Sequence, residues 1–212
     1  MIFKISRNKQ ITLNSKPYII AEACINHEGN IKIAKKMIDE AVKAKVSAVK
    51  FQFHILEDEM LVETPKSKNC TESLYDTLKR TNLNITEHKY LKNYCEKKGV
   101  DYLCTPFSFK SADILEKDVK LKIFKVGSGE LTNIPLQIHI AKKKFPTIIS
   151  TGMSTLKEVK SALTVLIESG TKKENITILH ANTMYPTPME DVNLNAMLTI
   201  QKELDISVGY SD

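Results

Sequence analysis

The chain has no apolar run near the ~18 residues a membrane-spanning helix needs, so no such helix is expected. Its first residues, Met1-Ile2-Phe3-Lys4-Ile5-Ser6-Arg7, lack the charged-then-apolar order of a secretory leader. Only four cysteines occur (Cys24, Cys70, Cys95, Cys104), and none forms a Cys-x-x-Cys pair. That argues against a disulfide frame or a zinc knot and reads as reduced thiols in a cytoplasmic protein. No Gly-x-Gly-x-x-Gly follows the first apolar strand, which leaves a dinucleotide fold little support. There is no arginine-rich arm and no basic stripe interleaved with aromatics, so the net charge of +6 does not point to nucleic acid. Lysines such as Lys32, Lys35, Lys36, Lys142, Lys143 and Lys144 instead read as solvated helix faces. Their summed field favours an anionic small substrate.

What is present is ordinary globular material: 212 residues, 42% hydrophobic and 26% charged, enough for one sizeable core. Residues 2–5 and 10–13 flank a polar turn and predict a small leading hairpin. Strand-like runs follow at 18–23, 47–53, 101–105, 123–126, 146–150, 176–180 and 206–209. Helix-like stretches lie between them at 31–45, 86–98, 108–116, 135–143, 155–169 and 194–203, with a short extra helix at 71–79. Gly99 after Lys97-Lys98 and Gly170 after 155–169 are expected helix ends, and Ser154-Thr155 offers a hydroxyl cap. Strands alternating with helices predict a parallel α/β fold, either doubly wound or a (β/α)8 TIM barrel. Polar residues at the ends of nearly every strand favour the barrel, whose active site draws on all its strand–helix loops. The expectation is one domain over residues 1–212, a barrel incomplete at its C-terminus with about seven of eight strands.

The most informative strand is Ala48-Val49-Lys50-Phe51-Gln52-Phe53-His54. Val49, Phe51 and Phe53 share one face and Lys50, Gln52 and His54 the other. A strand buried on both faces is normally aliphatic throughout, and burying a lysine, an amide and an imidazole is costly unless a ligand or a network satisfies them. Other strand ends repeat the pattern. Lys50, Thr105, Lys125, Ser128, Ser150 and Ser211 together make a set of cations and hydroxyls suited to a phosphate. Gly127 and Gly129 allow close backbone approach to an anion, and Glu22 and Glu130 supply carboxylates for proton transfer or sugar hydroxyls.

Several stretches together carry a resemblance to a known family. They are Ile19-Ile20-Ala21-Glu22-Ala23-Cys24-Ile25-Asn26-His27-Glu28-Gly29, Ala48-Val49-Lys50-Phe51-Gln52, Cys104-Thr105-Pro106-Phe107, Phe124-Lys125-Val126-Gly127-Ser128-Gly129-Glu130, Ser150-Thr151-Gly152-Met153, Tyr185-Pro186-Thr187-Pro188 and Gly209-Tyr210-Ser211-Asp212. In this order they resemble the sialic acid synthase family, the N-acetylneuraminate synthases and their legionaminate and pseudaminate relatives. The resemblance implies condensation of phosphoenolpyruvate with N-acetylmannosamine or a related N-acylated amino sugar, giving a nine-carbon 2-keto acid and phosphate. It implies phosphoenolpyruvate binding by Lys50, Thr105, Lys125, Ser128, Ser150 and Ser211. Gln52, Glu130, Tyr185 and Asn69 would contact the sugar, and Glu22 would be the acid/base that helps water attack C2. It also implies a divalent metal, manganese or magnesium, whose histidine ligands lie beyond residue 212, and a homodimer when full length. The run 185–188 is closer to the sialic and legionaminic branches than to the pseudaminic one. Asn182 stands one place from the family's sugar-binding asparagine and is not assigned. The rival reading, from another class, is a non-catalytic barrel fragment that binds phosphoenolpyruvate weakly or associates with another chain.

The remaining polar residues have plainer readings. His27 braces the first strand–helix turn or serves the site, while His54 and His180 are expected as buried hydrogen-bonding groups rather than metal ligands. His88 and His139 are expected at the surface, and Phe51 and Phe53 as packing. Glu28 and the run 191–194 are expected to cap the helices that follow them.

Overall fold

In the computed structural model, which describes residues 2–6, 9–66 and 71–212, the chain opens with the expected antiparallel hairpin of β1 (Ile2–Ser6) and β2 (Lys9–Thr12). Two compact units then divide it: Tyr18–Leu121 is one, and Met1–Pro17 with Lys122–Asp212 is the other.

The Tyr18–Leu121 unit runs β3 (Ile20–Cys24), α1 (Ile31–Lys43), β4 (Ala48–Phe53), α2 (Leu74–Thr81), α3 (Ile85–Lys98), β5 (Asp101–Pro106) and α4 (Phe109–Lys117). The strands are parallel and adjacent in chain order, with Ile20 opposite Ala48 and Ala48 opposite Asp101. Helical crossovers permit that arrangement. On α1 the residues Ala34, Ile38 and Ala41 recur at helical spacing and are the ones buried. They join a core with Phe51, Leu91, Leu103 and Leu115. The expected end of α3 is observed: Gly99 adopts φ +77°, the left-handed turn that glycine takes without strain. Its start is fixed by a reciprocal cap, in which Asn84 accepts from the Glu87 amide and Glu87 from the Asn84 amide.

Two expectations fail in this unit. Glu28 does not cap α1; Asn30 does, accepting from the Lys32 amide at 2.9 Å, and the Glu28 carboxylate pairs with Arg80 of α2. The turn between them explains why. Gly29 sits at φ +72°, and a Cβ there would lie 2.6 Å from the Arg80 carbonyl oxygen, so α2 packs directly on the glycine and brings its arginine to Glu28. The second failure is His88, expected at the surface but fully buried against the sheet. Its Nδ1 lies 2.6 Å from the Tyr102 hydroxyl, and its ring meets Phe53 edge-on at 4.9 Å.

Burial pushes the His88 imidazole down to about 3. The folded chain therefore keeps the ring neutral, while the unfolded chain protonates it near the ordinary ~6.5. Stability from this group is complete above that value and is lost as pH falls toward 3, because the unfolded state then binds more protons. Between pH 6.5 and 5, where carboxylates remain ionised, the expected loss is about 1.6 kcal/mol. Urea melts across that window measure it. His88→Gln, which cannot titrate, is expected to flatten the slope; an unchanged slope contradicts the account.

The other unit continues from the hairpin through β6 (Phe124–Val126), α5 (Ile134–Ala141), β7 (Thr147–Ser150), α6 (Leu156–Glu168), β8 (Ile176–Ala181), α7 (Asn195–Leu204) and β9 (Ser207–Ser211). Its strands are again parallel neighbours in chain order, with Phe124 opposite Thr147, Thr147 opposite Ile176, and Thr177 opposite Ser207. Phe124, Leu131, Leu136, Ile140 and Leu166 are buried in its core, and β1 lies against β8 with Phe3 and Ile5 buried. Thr155 caps α6 with Glu158 reciprocating, as expected. The run 191–194 does not cap α7: Met189–Asp191 is a separate 3-10 turn, and α7 begins on backbone bonds alone, Ala196 to Asn193 and Met197 to Leu194. His139 is half-buried rather than at the surface. Among the described residues no helix is long and apolar enough to cross a membrane.

Candidate active site

In the Tyr18–Leu121 unit, parallel register sets Glu22 of β3 beside Lys50 of β4, and Gln52 of β4 beside Thr105 of β5. The Lys50 ammonium lies 2.5 Å from Glu22 Oε2 and donates to Thr105 Oγ1 at 3.1 Å. Its side chain is 8% exposed, whereas Glu22 is 49% exposed. A buried cation needs both a counter-charge and a hydrogen bond, and Lys50 has them. In this state the lysine is the salt-bridge partner of Glu22. The second oxygen of Glu22 accepts from the Cys24 amide at 3.0 Å. Cys104, next to Thr105, is no nucleophile at neutral pH, because burial pushes its thiol up to about 12.

Gln52 and His54 share the face of Lys50 but join a separate network. Gln52 Oε1 lies 3.1 Å from His54 Nε2, and His54 Nδ1 lies 2.7 Å from Glu59 Oε2. Phe107 stacks on the imidazole at 4.3 Å, and Asn82 holds the His54 carbonyl at 2.8 Å. His54 is buried and hydrogen-bonded, as expected. His27 braces the first turn: its Nδ1 accepts from the Gly29 amide at 3.2 Å, and its ring tilts onto Phe51 at 5.8 Å.

In the other unit the same device recurs. Lys125 of β6 donates to Ser150 Oγ at the end of β7 (2.6 Å) and to the Val126 carbonyl (2.8 Å). It is 7% exposed. The next turn, Ser128–Glu130, follows β6 directly, and Ser128 Oγ accepts from the Gly152 amide at 3.0 Å. Glu130 Oε2 accepts from Asn133 at 2.6 Å, and Asn133 in turn caps α5. Ser211 ends β9 opposite Ala181, and Tyr185 stands 70% exposed in the loop after β8. Neither Ser211 nor Tyr185 has a hydrogen-bonded side-chain partner among the described residues. His180 Nε2 donates to the Val192 carbonyl at 2.9 Å from a half-buried position. Asn182 bonds the Asp191 carbonyl and the Met184 amide, which binds the 183–191 loop back onto its own strand. Asn69 and Cys70 lie outside the described residues.

Sequence reasoning missed Glu59, which orients His54, and Arg80, which ties α2 to Glu28. The only signal for Glu59 was the acidic run Glu57-Asp58-Glu59 just past the strand. Among the described residues no three His, Cys, Asp or Glu side chains converge as metal ligands.

Parallel strands alternating with helices, with buried lysines against hydroxyls at the strand ends, define a protein of the α/β barrel type. The comparisons agree over nearly the whole chain. Residues 37–212 match the model of the NeuB family. The N,N'-diacetyllegionaminic acid synthase of Campylobacter jejuni is 39% identical, aligned over 93% of this chain and 60% of its own. The synthase of the same name from Legionella pneumophila is 36% identical, over 92% and 57%. The crystal structure of N-acetylneuraminic acid synthetase from Leptospira borgpetersenii, a complex with citrate, superposes with a TM-score of 0.87 at 28% identity, covering 100% of this chain and 70% of that one. The chain belongs to the NeuB family, and its fold is the α/β TIM-barrel type expected, with an N-terminal hairpin. It spans about 60% of the length of the curated relatives it matches.

Proposed function

We propose that this chain handles phosphoenolpyruvate and condenses it with an open-chain N-acylated amino sugar, N-acetylmannosamine or a legionaminic-type relative, to give a nine-carbon 2-keto acid and phosphate. The observation that carries the reading is the repeated pair of a buried strand lysine bonded to the hydroxyl of the next strand, Lys50 with Thr105 and Lys125 with Ser150, in a member of the NeuB family. Such pairs hold ammonium groups ready for a phosphate or carboxylate with their desolvation already offset.

In the proposed roles Lys50, Thr105, Lys125, Ser128, Ser150 and Ser211 bind phosphoenolpyruvate. Gln52, Glu130, Tyr185 and Asn69 face the sugar. C3 of the enol attacks the aldehyde carbon, the aldehyde oxygen takes a proton, and positive charge develops at C2. Glu22, half-exposed at the end of β3, takes a proton from water as its oxygen bonds to C2. The C2–O bond to phosphate then breaks as the C2 hydroxyl gives its remaining proton to the departing phosphate, leaving the ketone. The lysines stabilise the anionic carboxylate and the departing phosphate. We also propose that a divalent ion, manganese or magnesium, supports the condensation.

The test is direct. The purified chain, given phosphoenolpyruvate, N-acetylmannosamine and manganese, is expected to form a periodate–thiobarbiturate-positive product in step with released phosphate. Phosphate release without keto-acid product, or neither, contradicts the proposal and favours a non-catalytic chain.

A further inference from the structure

Both ring nitrogens of His54 face oxygens: Nδ1 faces the Glu59 carboxylate at 2.7 Å and Nε2 the Gln52 amide oxygen at 3.1 Å. A carboxylate and an amide oxygen only accept, so this chain of contacts closes only with a proton in each gap. Glu59 completes the set by accepting from the Ile55 amide through its other oxygen, at 2.6 Å. Phe107 lies flat on the imidazole, and the His54 and Glu59 side chains are 5% and 4% exposed. Such enclosure leaves the ring little freedom to turn over. Gln52, by contrast, is half-buried, and its amide nitrogen has no partner among the described residues. We infer that Glu59 and His54 are positioning residues that grip the Gln52 oxygen and so present its NH2 as a hydrogen-bond donor, selecting an acceptor oxygen on the sugar, such as an N-acyl carbonyl or a hydroxyl. This rests on the proposed assignment of Gln52 to the sugar.

The arrangement makes a specific demand. A donor fixed from behind discriminates because an analogue lacking the acceptor leaves the NH2 unpaired. Glu59→Gln keeps the size of the side chain but removes the charge that holds the second ring proton. In long-range proton–nitrogen spectra of the unsubstituted chain, both His54 ring nitrogens are expected to be protonated; one bare ring nitrogen overturns the inference. Calorimetry supplies the second readout, using the alditol of N-acetylmannosamine, which has no aldehyde and cannot react, at saturating phosphoenolpyruvate. Glu59→Gln is expected to weaken the alditol about tenfold, leave phosphoenolpyruvate within about twofold, and cost nothing further in a Gln52→Ala background. Equal weakening of both ligands, or an undiminished effect without Gln52, overturns it. A chain that binds neither ligand defeats the functional proposal and this inference together, whereas binding of both with no effect of Glu59→Gln defeats the inference alone. Should Glu59→Gln fail to fold, the ring-nitrogen spectrum decides.

Discussion

Lys125→Met is expected to weaken phosphoenolpyruvate binding about a hundredfold, measured by calorimetry, while the folded chain persists. The lysine is nearly buried, and its ammonium donates to Ser150 Oγ and to the Val126 carbonyl. An anion arriving there meets a positive charge already stripped of most of its water. A hydrogen bond to a charged group contributes roughly 1.5–3 kcal/mol, and about 2.7 kcal/mol is a hundredfold in affinity. Methionine replaces the aliphatic stem, so packing around β6 is largely kept. The contrast is Lys89→Met, which removes an exposed lysine paired with Asp118 at 3.6 Å. Surface pairs of that kind contribute little, and phosphoenolpyruvate affinity is expected to stay within about twofold. If Lys125→Met and Lys89→Met bind alike, Lys125 is a structural cation and its proposed role fails.

The second large effect belongs to Glu22. In the structure it is the counter-charge of Lys50, and that alone would explain its presence. The two roles predict different results. As an acid/base, Glu22→Gln is expected to lower turnover by roughly a hundredfold to ten-thousandfold, the usual range for losing a general base. Phosphoenolpyruvate affinity should change little, since the substitution keeps the size of the side chain, Lys50 keeps its bond to Thr105, and the anionic ligand itself supplies a counter-charge. As a mere partner of Lys50, its loss would lower affinity and turnover together. Single-turnover rates beside calorimetric affinities separate the outcomes.

How far such residues could be read in advance depended on the range of the interactions that place them. The alternation in 48–54 was local, and so were the hydroxyls and glycines that close each strand; parallel register then carried Lys50 to Thr105 and Lys125 to Ser150. His88 was misread because its helix shows only a weak division into apolar and polar faces; what buries it is Tyr102 on β5 and Phe53 on β4, partners distant in sequence. Glu28 is the cap the sequence suggests, but Asn30 two residues on takes that place, past the left-handed turn at Gly29 that α2 packs upon. The oddity of a buried His54 was visible as a cost without a remedy. Its remedy, Glu59, follows a 3-10 turn over Leu56–Asp58 that no periodicity announces.

The most direct measurement uses phosphoenolpyruvate labelled with carbon-13 at C3, incubated with this chain, manganese and N-acetylmannosamine and followed by NMR. The account predicts that the label becomes a methylene carbon bonded to the former aldehyde carbon, with one phosphate released for each. Label that stays in phosphoenolpyruvate, or appears as the methyl group of pyruvate, would contradict it.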